Sequence, residues 1–188
     1  MKYSSRHLFA LLRLGLLTSV LLTSTLLTSC AATPGKVWQT EPVGALNLQH
    51  GIALKGYDPV AYFAEDKPEA GNAAIAYQWQ GATWLFSTPE HREAFEADPQ
   101  HYAPQFGGYC AFAVSRGTTA DADPDQWAIV GGKLYVNNNV IAKKFWDQDR
   151  PGNIAAGDAN WPLIPKRAPS TGEPAAGVSQ ITPAGAPK

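Results

Sequence analysis

The ten residues Trp127–Val136 (WAIVGGKLYV) predict a β-hairpin. Two runs of β-favouring residues flank Gly131-Gly132, and a glycine pair readily takes the positive φ angles that a tight primed turn requires. Residues Tyr77–Phe86 (YQWQGATWLF) are organised in the same way, with aromatic runs on either side of a glycine-containing turn at 80–83 (QGAT). We therefore expect two β-hairpins that form an antiparallel sheet.

A helix is expected directly after the first hairpin. Residues Ser87–Glu90 (STPE) place an N-cap hydroxyl on Ser87, a first-turn proline and a capping-box glutamate in order. The helix should run to about Ala97, because Asp98-Pro99 ends it. His91 and Phe95 are four residues apart and would lie on one face.

Three further short helices complete the prediction. Residues 109–116 (YCAFAVSR) follow Gly107-Gly108 and precede Gly117, which favours a helix with a glycine C-cap, although a strand is the alternative. Helices are also expected at 140–148 and 154–159. The former has five side chains on one face: Val140, Ile141, Lys144, Phe145 and Gln148. The elements predict an α+β class, a small single domain with two hairpins packed by several short helices.

The composition is that of one globular domain with an additional segment at each end. Of 188 residues, 45% are apolar and 11% aromatic. All six tryptophans fall within residues 37–164, so we assign the globular domain to that range. Residues 165–188 are rich in Pro, Gly and Ala and are expected to be disordered, while 30–36 form a short polar tether.

Residues 1–29 have the features of a signal peptide. Lys2 and Arg6 precede an apolar stretch, 14–27, which is too short and too rich in Thr and Ser for a membrane span. The stretch ends in LTSC at Cys30, which resembles the lipobox of bacterial lipoproteins. This resemblance implies cleavage before Cys30, a lipid on that cysteine, and a membrane-anchored protein of the bacterial cell envelope that faces the periplasm or the exterior. The alternative is an ordinary signal peptide whose cleavage site abuts a cysteine.

The charge balance argues against nucleic acid as a partner. Fifteen Lys and Arg face sixteen Asp and Glu, and no run of five like charges occurs. Without the three basic residues of the signal segment the net charge is about minus four, so the overall charge gives no attraction to anionic lipid. The expected partner is therefore the membrane, held through the lipid on Cys30, while the pattern identifies no protein partner.

No motif of a common catalytic class occurs in the chain. It has no Gly-x-Ser-x-Gly elbow, no phosphate-binding glycine loop and no His-Glu-x-x-His pair. The aspartates at Asp121, Asp123 and Asp125 form a polar segment typical of a solvated turn before a strand. We therefore expect a binding protein more than an enzyme.

Cys110 is a candidate functional thiol. A cysteine one or two positions into a helix that follows Gly107-Gly108 lies near the positive helix end, which would favour the thiolate. Such a thiolate could bind a soft metal or carry out redox chemistry, whereas the alternative is a buried cysteine that packs as a small apolar residue. A structural disulfide is not expected, because the only other cysteine is Cys30.

Three histidines follow the signal segment. His50 lies beside Gly51 in a predicted turn and is expected at the surface. His91 and His101 are ten residues apart across a predicted helix break, so they could converge on one metal site or point apart. The alternative for both is a solvent-facing position near a helix end.

Several segments together resemble the YHS-domain family, which is related to the small TRASH-type metal modules. The resemblance covers about residues 50–162, nearly the whole predicted domain. It depends on these segments: 56–63 (GYDPVAYF), 84–95 (WLFSTPEHREAF), 98–99 (DP), 102–111 (YAPQFGGYCA) and 132–137 (GKLYVN).

The resemblance implies a metal site with altered ligands. TRASH-type modules hold a metal on cysteines, one of them just after an Asp-Pro pair, but Asp58-Pro59 is followed here by Val60-Ala61. Ser87 and His91 stand where later cysteines would be. We therefore expect copper or another transition metal on His91 and Cys110, with His101 and Asp58 as weaker candidates.

The resemblance also implies an alternative in redox chemistry. Some members of the lipoprotein-like branch are labelled selenoproteins, and the Gly-Gly-Tyr-Cys-Ala stretch would be the selenium position, which favours a catalytic thiol at Cys110. A third hypothesis is an interaction module without chemistry. In that case five aromatic residues would build the core or line a binding groove: Tyr57, Tyr62, Phe63, Trp79 and Trp84.

Overall fold

The computed structural model describes residues 37–167. The predicted signal peptide, Cys30, the tether and residues 168–188 of the predicted tail lie outside this range. None of the helices that the structure describes is both long and apolar enough to cross a membrane.

The first hairpin belongs to a four-stranded sheet. The strands are β1 (Leu48–Gln49), β2 (Ile52–Ala53), β3 (Asn72–Trp79) and β4 (Ala82–Phe86), in the order β1-β2-β4-β3, and only β2 and β4 are parallel. The turn between β3 and β4 is shorter than predicted. It contains only Gln80 and Gly81, both with positive φ, so Ala82 and Thr83 are already paired in the strand.

The second hairpin is a separate two-stranded sheet. It consists of β5 (Asp123–Val130) and β6 (Lys133–Asn137), joined through Gly131 and Gly132, which both have positive φ as predicted. The two hairpins therefore do not share one sheet, but the α+β class is confirmed. β5 begins at Asp123, so Asp123 and Asp125 lie in the strand and only Asp121 precedes it.

Within residues 37–167, six short helices pack around the sheets. They are α1 (Ala61–Ala64), α2 (Pro89–Ala97), α3 (Pro99–Tyr102), α4 (Ala111–Ser115), α5 (Val140–Gln148) and α6 (Arg150–Asn160), with 3-10 turns at Leu54–Gly56 and Gln105–Gly108. The bounds predicted for α2 and α5 are confirmed, and 109–116 contains a helix rather than a strand. α6 begins four residues before the predicted start, because the Asp149 carboxylate accepts from the Gly152 amide and caps it.

The core of residues 37–167 consists of three clusters, two of which meet at β6. Side chains alternate along a strand, and accordingly Tyr135 packs in one cluster with Trp146, while Leu134 and Val136 pack in another with Tyr62. The third cluster lies on the four-stranded sheet around Trp84, Phe86 and Phe95. The β5–β6 hairpin is thus held from both faces.

The two ends of the described chain pair with each other. The Val43 amide donates to the Pro165 carbonyl over 3.1 Å, and the Arg167 amide donates to the Val43 carbonyl over 2.7 Å. Lys166 Nζ donates to the carbonyls of Trp161 and Ile164, 2.8 Å each, and lies 3.6 Å from the Trp161 ring centroid. Contacts with the domain therefore continue three residues beyond its predicted end.

Candidate functional site

The start of α2 brings chemically active side chains together. Thr88, not Ser87, is the N-cap, and its hydroxyl accepts from the His91 amide over 3.2 Å. The Ser87 hydroxyl instead donates to Asp58, 2.7 Å away. The predicted capping box at Ser87 is therefore wrong: Thr88 supplies the acceptor for the free amide of the helix end, and the Ser87 hydroxyl is a donor to a buried carboxylate instead.

Asp58 is a fully buried carboxylate in the turn before α1. Its Oδ1 accepts from the amides of Val60 (2.8 Å) and Ala61 (3.4 Å). Its Oδ2 accepts from the Ser87 amide (2.8 Å), the Ser87 hydroxyl and His91 Nδ1 (2.7 Å). Both oxygens are thus satisfied by donors, as a buried charge requires.

The carboxylate fixes the state of the His91 ring. Because Asp58 Oδ2 is an acceptor, Nδ1 carries the proton that points at it, and a neutral ring then has its lone pair on Nε2. Within residues 37–167 Nε2 makes no hydrogen bond, and it is not among the buried polar atoms left without a partner. With 13% of the His91 side chain exposed, Nε2 is a nitrogen donor available to a group that approaches from solvent.

Cys110 lies at the N-cap of the five-residue helix α4 and is buried. The sequence predicted that Cys110 lies one or two positions into the helix, but the helix begins at the next residue. Its thiol makes a long contact, 3.8 Å, to Asn137 Oδ1, which also accepts from the Phe112 amide over 3.0 Å. The Asn137 oxygen is the acceptor in this contact, and the contact does not involve Asp58 or His91.

His101 is exposed in α3 and contacts aromatic rings. Its ring centroid is 5.0 Å from that of Phe63 and 4.6 Å from that of Tyr102. His50 is also exposed, as predicted, in the turn between β1 and β2. Neither histidine contributes to the cluster at Asp58.

The candidate metal ligands do not form one complete site. Among residues 37–167 no group of three or more His, Cys, Asp or Glu side chains is arranged to hold a metal ion. Only Asp58 and His91 touch, and the oxygens of Asp58 are occupied by donors. What fits a metal is a single position, His91 Nε2, with Asp58 behind it as the carboxylate that orients a ligating imidazole.

The five aromatic residues singled out in the sequence divide between core and groove. Tyr62 and Trp84 are fully buried, while Tyr57 and Phe63 are half-buried against the same cluster as Tyr62. Burial raises the pKa of the Tyr62 hydroxyl, with a further contribution from Asp125. Trp79 lines an open groove of about 460 Å³ together with other side chains, among them Phe106, Trp161, Gln100, Gln105 and Lys166.

The face of α5 that the sequence predicted remains exposed in the structure. Val140, Ile141 and Phe145 are among the exposed large apolar residues of the described chain, whereas α5 buries Trp146 on its other side. The signal was present in the sequence, since Trp146 lies opposite these three positions at 100° per residue. Which side packs depended on where the core formed.

No protein-family model, curated protein or solved structure matches the chain. The function is therefore inferred from the side-chain geometry of residues 37–167.

Proposed function

We propose that the protein is a lipid-anchored binding protein of the bacterial cell envelope that presents His91 Nε2 as a nitrogen ligand for a transition metal ion such as copper. The observation that carries this proposal is the 2.7 Å contact between His91 Nδ1 and the buried carboxylate of Asp58. The anchor would be the lipid on Cys30. The remaining metal ligands would come from the molecule that delivers or receives the ion.

The contact has the chemistry of a supported ligand. A metal-binding histidine usually donates its other ring N–H to a carboxylate or carbonyl, which fixes the tautomer and makes the ligating nitrogen more basic. Imidazole suits copper and zinc, and among divalent ions of the first transition row Cu²⁺ binds nitrogen ligands most tightly. Asp58 is thus a positioning residue in this proposal and not a ligand.

A site with a single protein ligand favours exchange of the metal ion with another molecule over its storage. The other donors of an ion on Nε2 would be water or groups of a second molecule, so the ion could leave without breaking a closed cage. Partial exposure of His91 is consistent with such a transfer, because the ring can be reached without opening the core.

The proposal is tested by copper titration of the mature chain, residues 30–188, with Cys30→Ser to remove the competing thiol. Calorimetry with Cu²⁺ should give one ion per chain, and the electron paramagnetic resonance spectrum should show coupling to nitrogen. His91→Ala should abolish both signals. Asp58→Asn should weaken affinity about 10- to 100-fold, the usual effect of losing the group that orients a ligand.

His101→Ala and Cys110→Ala are the matched controls and should leave affinity unchanged. Ser87→Ala removes the hydroxyl that donates to Asp58 but keeps the contact between Asp58 and His91. It therefore separates a general weakening of the hydrogen bonds around Asp58 from the loss of the metal ligand His91. Copper affinity in His91→Ala equal to that of the parent would refute the proposal. Equal loss in Cys110→Ala would instead restore the shared site expected from the sequence.

The thiol-dependent redox alternative has less support. Cys110 is buried, so an oxidant reaches its sulfur only after local opening. In its favour, the neighbouring Asn137 Nδ2 is a buried donor without a hydrogen-bond partner in the described chain. The interaction-module alternative has a more specific observation behind it, namely the exposed apolar face of α5.

A further inference from the structure

α5 presents an apolar surface to solvent. Val140, Ile141 and Phe145 are 67%, 63% and 49% exposed. At 100° per residue these three positions and Lys144 fall within one arc of about 140°. We call these four residues the α5 face.

The α5 face continues onto α4. The ring of Phe112 stacks on that of Phe145, with centroids 5.9 Å apart and an interplanar angle of 18°. The Arg116 guanidinium lies 5.0 Å above the Phe112 ring. The apolar surface is therefore bordered by a second exposed cation in addition to Lys144.

Asp147, the acidic residue within α5, is already paired. Asp147 accepts from Lys143 Nζ over 2.6 Å and from Arg150 Nε over 2.9 Å. Lys144 and Arg116 are in none of the ion pairs found among residues 37–167. The local charge is therefore positive although the chain as a whole is negative.

The chain enters the domain next to this surface. The Trp38 amide donates to the Gly117 carbonyl over 2.8 Å, and Gly117 directly follows Arg116. From Cys30 to Val37 there are seven residues, which can span at most about 25 Å. A lipid on Cys30 would thus keep this side of the domain within about 25 Å of a bilayer.

We propose that the α5 face docks on the surface of the bilayer to which Cys30 tethers the protein. This inference rests on the lipid anchoring in the proposed function. An exposed apolar arc with Phe and flanking Lys and Arg is the arrangement of helices that lie in a membrane interface, where the apolar groups enter the acyl boundary and the cations meet anionic headgroups. The tether supplies a high effective concentration, so a weak surface is enough to orient the domain.

The test is co-flotation of the mature chain, residues 30–188 with Cys30→Ser, with vesicles of phosphatidylcholine and phosphatidylglycerol. The double variant Val140→Ser and Ile141→Ser should lower the partition coefficient at least tenfold. Lys144→Glu should lower it on these anionic vesicles but not on pure phosphatidylcholine. Leu48→Ser, which changes an exposed apolar residue of β1, is the matched control and should have no effect.

A second measurement covers the tethered state. The mature chain is coupled through Cys30 to a maleimide lipid, a reaction from which buried Cys110 is shielded, and amide hydrogen exchange is followed in α5. Exchange of 140–148 should slow on vesicles in the parent and not in the double variant. Equal partition of parent and double variant, together with equal exchange on and off vesicles, would refute the docking.

Other occupants give different results. Self-association in sedimentation experiments without lipid, lost in the double variant, would assign the α5 face to a second copy and overturn the proposal. The anchor is tested separately by incorporation of labelled palmitate into the full chain in cells, which Cys30→Ser should abolish. Flotation with vesicles but no palmitate labelling would reject the lipid anchor and support the docking of the α5 face. Palmitate labelling without flotation and without slower amide exchange would support the anchor and reject the docking.

Discussion

Asp58 shows how one side chain can join distant parts of the chain. Its carboxylate holds the amides that open α1 and, 29 and 33 positions away, Ser87 and His91 at the start of α2. Each of these donors is removed from water when the domain folds, so each depends on this acceptor. The same contacts that stabilise the junction also orient the His91 ring.

The first prediction concerns Asp58→Asn. The amide keeps one acceptor oxygen but replaces the other with a donor, which faces Ser87 or the Val60 amide. We expect the free energy of unfolding to fall by about 2–4 kcal/mol, because hydrogen bonds to a buried charge are lost and donors remain unpaired. Urea unfolding followed by circular dichroism measures this change.

Asp98→Asn is the control for Asp58→Asn. Asp98 is an exposed N-cap of α3, and its side chain accepts from the His101 amide. Asparagine caps helices about as well as aspartate, so the change should be below about 0.5 kcal/mol. A similarly small change in Asp58→Asn would mean that the carboxylate is not the acceptor on which the junction depends.

At the scale of elements, turns depend on close approach as well as on backbone angles. Gly107 and Gly132 both have positive φ, +62° and +73°. A Cβ on Gly132 would meet open space, whereas one on Gly107 would overlap the carbonyl oxygen of Ala45. The 3-10 turn before Cys110 therefore requires glycine both for its positive φ and for its close approach to Ala45, whereas the β5–β6 turn favours glycine only for its positive φ.

The second prediction compares alanine at these two glycines. Gly132→Ala should lower the free energy of unfolding by about 1–2 kcal/mol, the cost of a side chain in the left-handed region. Gly107→Ala should cost about 1–3 kcal/mol more, because the segment at Ala45 must move. Thermal unfolding of the two variants side by side gives the difference, and equal melting temperatures would contradict the argument.

The third prediction concerns pH and the ion pairs of α5. Partial burial raises the pKa of Asp147, but hydrogen bonds from Lys143 and Arg150 outweigh it, so the pKa lies below its ordinary value. The pairs therefore stabilise the fold above the unfolded pKa of about 4, and this contribution is lost as the pH falls through the folded pKa. Asp147→Asn should cost about 0.5–1 kcal/mol at pH 7.

Urea unfolding at several pH values checks this prediction. The stability difference between parent and Asp147→Asn should shrink towards zero as the pH falls below the unfolded pKa and through the lower folded pKa. Glu93→Gln, an exposed change in α2 at a residue outside the ion pairs found in 37–167, should show no such trend. A pH-independent difference for Asp147→Asn would point to packing and not to charge.

At the scale of the whole molecule, the domain is closed by its ends. Val43 pairs with Lys166, 123 positions away, and the Lys166 ammonium lies on Trp161 and binds two carbonyls near the end of α6. Partial burial lowers the pKa of this ammonium. The last three described residues are therefore part of the fold.

The fourth prediction compares two truncations of the mature chain, residues 30–188 with Cys30→Ser. Ending the chain at Arg167 should change the free energy of unfolding by less than about 0.5 kcal/mol, because the composition of 168–188 offers almost no large apolar side chains to bury. Ending it at Ile164 should cost about 1–3 kcal/mol, since it removes two backbone hydrogen bonds and the cap from Lys166. Urea midpoints at equal m-values decide between these outcomes, and equal midpoints would assign no role to 165–167.

The sequence by itself determined the elements whose signals are local. The glycine pair of the β5–β6 hairpin, Pro89 in the first turn of α2 and Gly117 after α4 each act within a few residues, and these elements formed as predicted, although the N-cap of α2 is Thr88 and not Ser87. Such signals act through φ preferences and hydrogen bonds between residues that are close in the sequence, and these do not depend on how the rest of the chain folds.

Only the tertiary structure decided how these elements meet. The sequence placed Asp58 and His91 among four candidate ligands but could not show that they alone touch, because a contact across 33 residues depends on how the intervening chain folds. It placed five side chains on one face of α5 but did not show which face packs against the core. In the structure the opposite face is covered, where Trp146 is buried. It predicted two hairpins but could not show that they lie in separate sheets, because pairing between strands far apart in the sequence depends on how the intervening chain folds.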